Sequence, residues 1–156
     1  MIAKIIMQTA AAVLGTVSFA LLYDVPKRFF PSCGLVGGMG WLLYTVFVIN
    51  HWCTATVAAF IAALGVVFLS RLISVRQRCP ATVFITTGIF PLVPGVGVYW
   101  TAYYMVTNQL PEALQSGFMA GKTAVAIVLG IMVIFEVPNR CFSRSVFSDP
   151  EESFPL

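Results

Sequence analysis

The chain has 156 residues, of which 59% are hydrophobic and only 10% are charged, with a formal net charge of +3. Soluble domains carry about 25% charged residues, whereas the mean hydropathy here is +0.91. So little polar side-chain surface cannot cover a soluble globule. The basic residues are scattered between apolar segments, which excludes a nucleic-acid-binding patch. The composition therefore predicts an all-α integral membrane protein.

Five apolar segments predict about five transmembrane helices, with boundaries good to a few residues. In chain order they cover residues 5–23, 35–50, 54–73, 81–107 and 116–135. A four-segment alternative makes 35–50 and 54–73 a re-entrant pair. We expect a single transmembrane domain over residues 1–137. Residues 138–156 are polar and predict a short cytoplasmic tail.

The fourth segment contains the sequence Pro91-Leu92-Val93-Pro94-Gly95-Val96-Gly97. Each proline lacks an N–H group, and its ring clashes with the carbonyl four residues earlier in a helix. The two glycines add backbone freedom at the same place. We therefore predict that the fourth transmembrane helix is broken at Pro91–Gly95.

Lysine and arginine counts give the orientation of the chain. With the N-terminus outside and the C-terminus cytoplasmic, seven of them fall on the inner side and one on the outer side. The inner residues are Lys27, Arg28, Arg71, Arg76, Arg78, Arg140 and Arg144; the outer one is Lys4. Because cytoplasmic loops are enriched in Lys and Arg, this orientation is predicted.

Lys122 lies within the fifth segment, and charges inside membrane segments are candidates for function. It is six residues from the predicted outer end, or about 9 Å deep at 1.5 Å per residue. Gly95 has a similar predicted depth, so a half-helix starting near Val96 could bind a carboxylate beside Lys122. We predict a substrate site of Pro91, Pro94, Gly95, Gly97 and Lys122. The alternative for Lys122 is snorkelling to the interface.

Two tyrosines complete the predicted substrate site, and two further residues are candidates for proton movement or gating. Tyr99 and Tyr103 share a helix face and could donate hydrogen bonds to substrate, although an interfacial aromatic belt explains them as well. Asp24 and Arg71 are possible proton or gating residues. For Asp24 the alternative is an interfacial role beside Lys27 and Arg28.

Cofactor and enzyme chemistry find no support in the sequence. The cysteines are dispersed and the single histidine is His51, so no set of metal ligands is expected at one place. Hydrolase and protease motifs are missing as well. We predict that the protein is not an enzyme and binds neither a metal nor a cofactor.

Several runs resemble the C-terminal half of threonine/serine exporters, over about residues 15–109. They are Phe19-Ala-Leu-Leu-Tyr-Asp-Val-Pro26, Gly37-Gly-Met-Gly-Trp41, Ser70-Arg71, Pro80 and Ile89-Phe-Pro-Leu-Val-Pro-Gly95. In that family the exporter is either one long chain or a small subunit beside a larger one that carries the N-terminal half. This chain is similar to the small subunit. At Asp24 the family more commonly has asparagine.

The resemblance implies a hetero-oligomeric half-transporter in the plasma (inner) membrane, driven by an ion gradient. Its substrates would be small molecules such as threonine and serine. The split form is also associated with dicarboxylates such as succinate, which leaves the substrate open. The alternative is a non-transporting membrane subunit that only assembles or stabilises its partner.

Overall fold

A computed structural model of the chain describes residues 2–50 and 52–137. The predicted tail 138–156 lies outside the described residues. The described part forms six α-helices and two short 3-10 turns. The helices are α1 Ile2–Leu22, α2 Phe30–Ile49, α3 Ala55–Gln77, α4 Ala81–Ile89, α5 Gly95–Val106 and α6 Leu110–Phe135; the turns are Lys27–Phe29 and Phe90–Leu92.

Four of these helices, α1, α2, α3 and α6, are long and apolar enough to cross a membrane. The number rises to five if α4 and α5, which are bent by 51° at their junction, count as one span. For the described residues, the prediction of an all-helical protein with about five helices able to span a membrane is thereby confirmed. Since α2 and α3 each reach spanning length, neither needs to be half of a re-entrant pair.

Two helices begin earlier than the apolar segments that predicted them. α2 begins at Phe30 and α6 at Leu110, whereas the segments began at residues 35 and 116. Each helix has a proline in its first turn, where the missing N–H group costs nothing and the fixed φ suits a helix. Hydropathy alone misses such turns because they are amphipathic or polar.

The helices pack around a centre formed by α2 and α3. α1 lies against α2, α4 lies against both central helices, and α6 packs on α3. Glycines allow the close approaches: a Cβ atom on Gly40 would overlap the side chain of Val66, and one on Gly88 would lie 2.5 Å from Cγ1 of Val36. α5 packs mainly on α6 and buries none of its residues.

Three helices end at a non-glycine residue with a left-handed backbone. The φ angles are 52° at Asp24, 50° at Arg78 and 56° at Asn108. After Asp24, the N–H of Val25 donates to the carbonyl of Ala20 at 3.0 Å, which closes the end of α1. Left-handed caps of this kind satisfy carbonyls that a helix end leaves unpaired.

Candidate functional site

The chain changes direction between Ile89 and Gly95, at the two prolines of the fourth segment. α4 ends at Ile89, and the turn Phe90–Leu92 follows it. The N–H of Val93 then donates to the carbonyl of Phe90 at 3.2 Å, and the N–H of Gly95 donates to the carbonyl of Val93 at 2.7 Å. These local bonds replace the helical ladder that the prolines interrupt, and they set the start of α5.

The first turn of α5 presents unpaired backbone donors. Its first helical bond runs from the N–H of Val98 to the carbonyl of Pro94, at 3.1 Å. Among the described residues, the N–H groups of Val96 and Gly97 find no acceptor. Such groups lie at the positive end of the helix dipole and attract anions. The start of α5 can therefore bind a carboxylate.

A cavity of about 360 Å³ opens beside this turn. Its described lining consists of residues 91–97 of the break, Trp41 and Tyr44 of α2, and Thr123 of α6. This volume lies within the range of about 300–1,000 Å³ that is typical of ligand pockets. The break thus forms one wall of a space large enough for a small metabolite.

The two glycines of the break, Gly95 and Gly97, differ in what an added side chain would contact. A Cβ atom on Gly95 would meet no atom within 4 Å, and Gly95 does not have a positive φ. Neither packing nor backbone conformation requires glycine there, and its missing side chain leaves the cavity open. A Cβ atom on Gly97, by contrast, would lie 3.0 Å from that of Ala120. Gly97 is therefore a helix-packing residue.

Tyr99 and Tyr103 lie on α5 beyond the cavity. They are 62% and 45% exposed, and their rings are stacked with centroids 6.4 Å apart. Neither belongs to the described cavity lining. Within the chain they form part of an exposed aromatic surface on α5, and their role in binding substrate stays a prediction.

Lys122 is exposed on α6 and is not among the described residues that line the cavity. Because α6 begins at Leu110, Lys122 is about 18 Å from the helix start at 1.5 Å per residue, twice the predicted depth. The antiparallel contact of Gly97 with Ala120 nevertheless puts Lys122 about level with Gly95. The residue of α6 that reaches the cavity is its neighbour, Thr123.

Asp24 has a backbone role. Its side chain is exposed, and its φ of 52° ends α1. Asparagine and aspartate are the residues besides glycine that adopt this conformation most readily. Aspartate and asparagine are therefore both suited to this helix end. A role for Asp24 in proton movement or gating stays a prediction.

Arg71 joins α3 to the end of α6. Its Nη1 donates to the carbonyls of Ile134 and Val137, at 2.6 Å each, and its guanidinium carbon is 5.4 Å from the ring centroid of Phe135. The last carbonyls of a helix lack partners within it and carry negative partial charge. Arg71 therefore caps α6, and its predicted gating role would have to act through this contact.

Sequence reasoning did not identify Trp41, Tyr44 or Thr123 as site residues. The indole nitrogen of Trp41 is buried and has no hydrogen-bond partner among the described residues, and the rings of Trp41 and Tyr44 are 5.5 Å apart. Trp41 follows a run of glycines that brings α2 close to its neighbours. A tryptophan beside such a run was the available signal, but only packing shows which cavity it faces.

Comparison with known proteins decides the family. Residues 8–137 match the family described as "Threonine/Serine exporter, ThrE". The chain belongs to this family of exporters. It is therefore a multi-pass membrane protein of a transporter family, as the resemblance indicated.

Two relatives give the extent of the match. The chain is 31% identical over 130 residues to a probable threonine/serine exporter of Mycobacterium tuberculosis, covering 83% of this chain and 24% of that protein. It is 25% identical over 146 residues to an uncharacterized protein of Haemophilus influenzae, covering 90% of this chain and 48% of the relative. The chain thus spans about a quarter of the length of the first relative and about half of the length of the second. No solved structure matches it.

Proposed function

We propose that this chain is the small subunit of a secondary-active exporter of carboxylate-bearing metabolites, such as threonine, serine or succinate. In this proposal α4 and α5 together form one broken membrane span with the N-terminus of the chain outside. The break supplies half of a substrate site that a larger membrane subunit completes. An ion gradient, most simply of protons, drives export.

The position of the first turn of α5 beside a cavity supports this proposal. Its unpaired N–H groups at Val96 and Gly97 adjoin a cavity of about 360 Å³. Inside a membrane, unpaired backbone donors are tolerated where they line a water-filled cavity or bind a ligand. Broken helices of transporters present such donors to substrate carboxylates. The carboxylate is thus the part of the substrate that the break would recognise.

Two observations favour a larger partner. The probable exporter of Mycobacterium tuberculosis is about four times as long as the part that this chain matches, which covers 24% of it. Moreover, α5 buries none of its residues within the chain, although it forms part of the cavity wall. A second subunit that carries the N-terminal half would cover α5 and close the site.

The proposal is tested by transport into proteoliposomes that hold this chain with or without a candidate larger subunit. Threonine, serine and succinate serve as labelled solutes. We expect flux only when both subunits are present and an ion gradient is imposed. Flux from this chain alone would overturn the half-transporter proposal.

A matched pair of glycine substitutions tests the site itself. A Cβ atom would meet nothing within 4 Å at either Gly95 or Gly121. Gly95→Val places its side chain in the cavity, whereas Gly121 is not among the described residues that line it. We expect Gly95→Val to abolish export while both subunits still co-purify. Gly121→Val should retain export. Equal export by the two variants would refute a substrate site at the break.

The exposed surface of α5 also suits the alternative, a subunit that only assembles or stabilises its partner. Apolar side chains on its surface, including Val96 at 72% and Val106 at 83% exposed, would suit a protein interface. Under this alternative, polar substitutions at the exposed apolar residues of α5, such as Val106, would dissociate the complex. Gly95→Val would then leave the transport rate of the intact complex unchanged.

A further inference from the structure

An open apolar groove lies between α1 and α2 and shares no described lining residue with the cavity at the break. Its volume is about 430 Å³. It is lined by Thr9, Val13 and Val17 of α1 and by one face of α2 from Phe30 to Leu42. Thr9 is the only polar side chain of the described lining. This space, here called the α1–α2 groove, therefore suits hydrocarbon better than a polar metabolite.

Two glycines of α2 create the groove. A Cβ atom on Gly34 would lie 3.2 Å from Cγ1 of Val13, and one on Gly38 would lie 2.6 Å from Cγ2 of the same residue. Without side chains, these residues let α1 approach closely. Leu35 and Met39, beside the glycines, are 54% and 49% exposed. The surface is therefore recessed along the helix contact, with large apolar side chains at its edge.

The length of the groove matches one leaflet of a bilayer. Phe30 and Leu42 are twelve residues apart, or about 18 Å at 1.5 Å per residue. Half of a hydrocarbon core of about 30 Å is about 15 Å. A further hollow of about 570 Å³ shares Thr9, Val13 and Leu42 with the groove and continues it along α1. An acyl chain that enters beside Phe30 therefore finds apolar contacts throughout its leaflet.

Two basic residues lie at the end of the groove where α2 begins. The turn Lys27–Phe29 directly precedes Phe30, the first residue of α2 in the lining. Phe29 is only 4% exposed, and its ring centroid lies 5.8 Å from that of Phe84. This buried ring anchors the turn in the core. The exposed side chains of Lys27 and Arg28 are thereby held beside the mouth of the groove.

These two cations are available to an anionic ligand. The guanidinium carbon of Arg28 lies 4.4 Å from the ring centroid of Phe29. Within the described part of the chain, neither Lys27 nor Arg28 forms an ion pair. Asp24, the acidic residue of the same connection, is exposed, so two cations stand against one carboxylate. Lysine and arginine are the side chains that bind phosphate groups most strongly.

We propose that the α1–α2 groove binds an anionic phospholipid, with one acyl chain along the groove and the phosphate at Lys27 and Arg28. Basic sites between membrane helices bind such headgroups. A partner helix would need the apolar contacts but not the two cations. The predicted orientation puts the site in the cytoplasmic leaflet, whose surface is negative. The inference goes beyond the proposed function, because lipid binding requires neither substrate nor a second subunit.

Native mass spectrometry of the full chain in detergent tests the headgroup site. Phosphatidylglycerol and phosphatidylcholine with identical acyl chains are added in turn, and retained lipid is counted. We expect a clear preference for phosphatidylglycerol. The double variant Lys27→Gln, Arg28→Gln should lower this preference about 30-fold, or about fivefold for each basic residue.

A second double variant, Arg76→Gln with Arg78→Gln, is the matched control. It removes the same charge at the end of α3, a helix that contributes nothing to the described lining. Both of its arginines are exposed. We expect the lipid preference to change by less than about threefold. An equal effect of the two double variants would mean that net charge alone attracts the lipid and would overturn the site.

Photolabelling of the unsubstituted chain tests the groove without any variant. The probe is phosphatidylglycerol with a diazirine at the end of one acyl chain. We expect labelled peptides from α1 and α2, around Val13 and Leu42. Unlabelled phosphatidylglycerol should compete with the probe, and unlabelled phosphatidylcholine should not. Equal competition by both lipids, or labelling mainly on α5 and α6, would overturn the proposal.

The other possible occupants of the groove are a second copy of the chain and the larger subunit. A photoreactive leucine in place of Leu35, which lines the groove, reports them in membranes. We expect it to cross-link to lipid. Cross-links to protein, together with loss of lipid labelling, would identify a protein interface and overturn the lipid site. None of these measurements depends on export, so their failure would leave the proposed function standing.

Discussion

Gly97 lies so close to Ala120 that a Cβ atom on the glycine would be 3.0 Å from the Cβ of the alanine. About one turn further along α5, the glycine is on the other helix: a Cβ atom on Gly117 of α6 would be 3.2 Å from Cγ2 of Thr101 of α5. These contacts fix the register of the antiparallel helices α5 and α6. The wall of the cavity beside the break is held by this register.

Gly97→Val is expected to separate α5 from α6. The added side chain must displace Ala120, and overpacking of this kind costs about 1–3 kcal/mol. We expect a lower melting temperature in detergent and a parallel loss of export. Gly121→Val is the control, since a Cβ atom there meets nothing within 4 Å. An unchanged melting temperature for Gly97→Val would contradict the register described above.

The contact between Gly40 and Val66 allows a rescue experiment at the centre of the protein. A Cβ atom on Gly40 would overlap Cγ2 of Val66, while its next neighbour, Cδ1 of Leu92, is 3.8 Å away. Gly40→Ala should therefore destabilise the protein by about 1–3 kcal/mol. In the background of Val66→Ala, which removes the overlapping methyl group, the same substitution should cost far less.

A double-mutant cycle on the free energy of unfolding measures this coupling. The two substitutions are made singly and together, and unfolding is followed in mixed micelles. Additive effects would show that α2 and α3 do not meet at this point. We expect the double variant to lose less stability than the sum of the losses of the two single variants.

Substitutions of Arg71 can show whether this residue caps the end of α6 or gates transport. Its two bonds to the last turn of α6 are charge-assisted, and each such bond contributes about 1.5–3 kcal/mol. Arg71→Met should lower the melting temperature and increase amide hydrogen exchange in the last turn of α6. Arg71→Lys should restore part of the loss. A changed export rate with unchanged hydrogen exchange would instead favour the gating role predicted from the sequence.

Much of the helical arrangement was predictable because it depends on local chemistry. Apolar length predicts spanning helices, and the covalent geometry of Pro91 and Pro94 predicts the break between α4 and α5. The helix starts at Phe30 and Leu110 were missed by hydropathy. There the proline in the first turn was a better signal than the apolar content of the segment.

The composition of the cavity was less predictable, because it depends on how helices rotate about their axes. The predicted membrane depths put Lys122 beside Gly95, and the register of α5 against α6 keeps the two residues about level. Adjacent helical residues, however, point about 100° apart at 3.6 residues per turn. One residue decides whether Lys122 or Thr123 meets the cavity, and the apolar content of the segment does not fix that rotation.

Lys122→Gln and Thr123→Val form a pair that tests this rotation. Thr123 lines the cavity. Its hydroxyl donates to the carbonyl of Met119 at 2.9 Å and can still accept a hydrogen bond from the substrate. Thr123→Val should therefore raise the KM for export by about fivefold, as for the loss of about 1 kcal/mol of hydrogen bonding. Lys122 is exposed, so Lys122→Gln should change KM by less than about twofold. The reverse pattern would support the substrate-binding role of Lys122 that the sequence predicted.

The orientation of the chain can be read from its cysteines. Cys53 precedes α3 and Cys79 follows it, so the two lie at opposite ends of one candidate span, and both are partly exposed. Cys33 is fully buried, and Cys141 lies outside the described residues. Because Lys and Arg predict an outside N-terminus, Cys53 should face the exterior and Cys79 the cytoplasm.

Single-cysteine variants with a membrane-impermeant maleimide measure this orientation directly. A chain that retains only Cys53 should be labelled in intact cells. One that retains only Cys79 should be labelled only after the membrane is permeabilised. Labelling of Cys79 but not of Cys53 in intact cells would mean that the chain has the opposite orientation in the membrane. The break at Pro91–Gly95 would then open towards the cytoplasm, and the first turn of α5 would receive substrate at the entry side of the exporter.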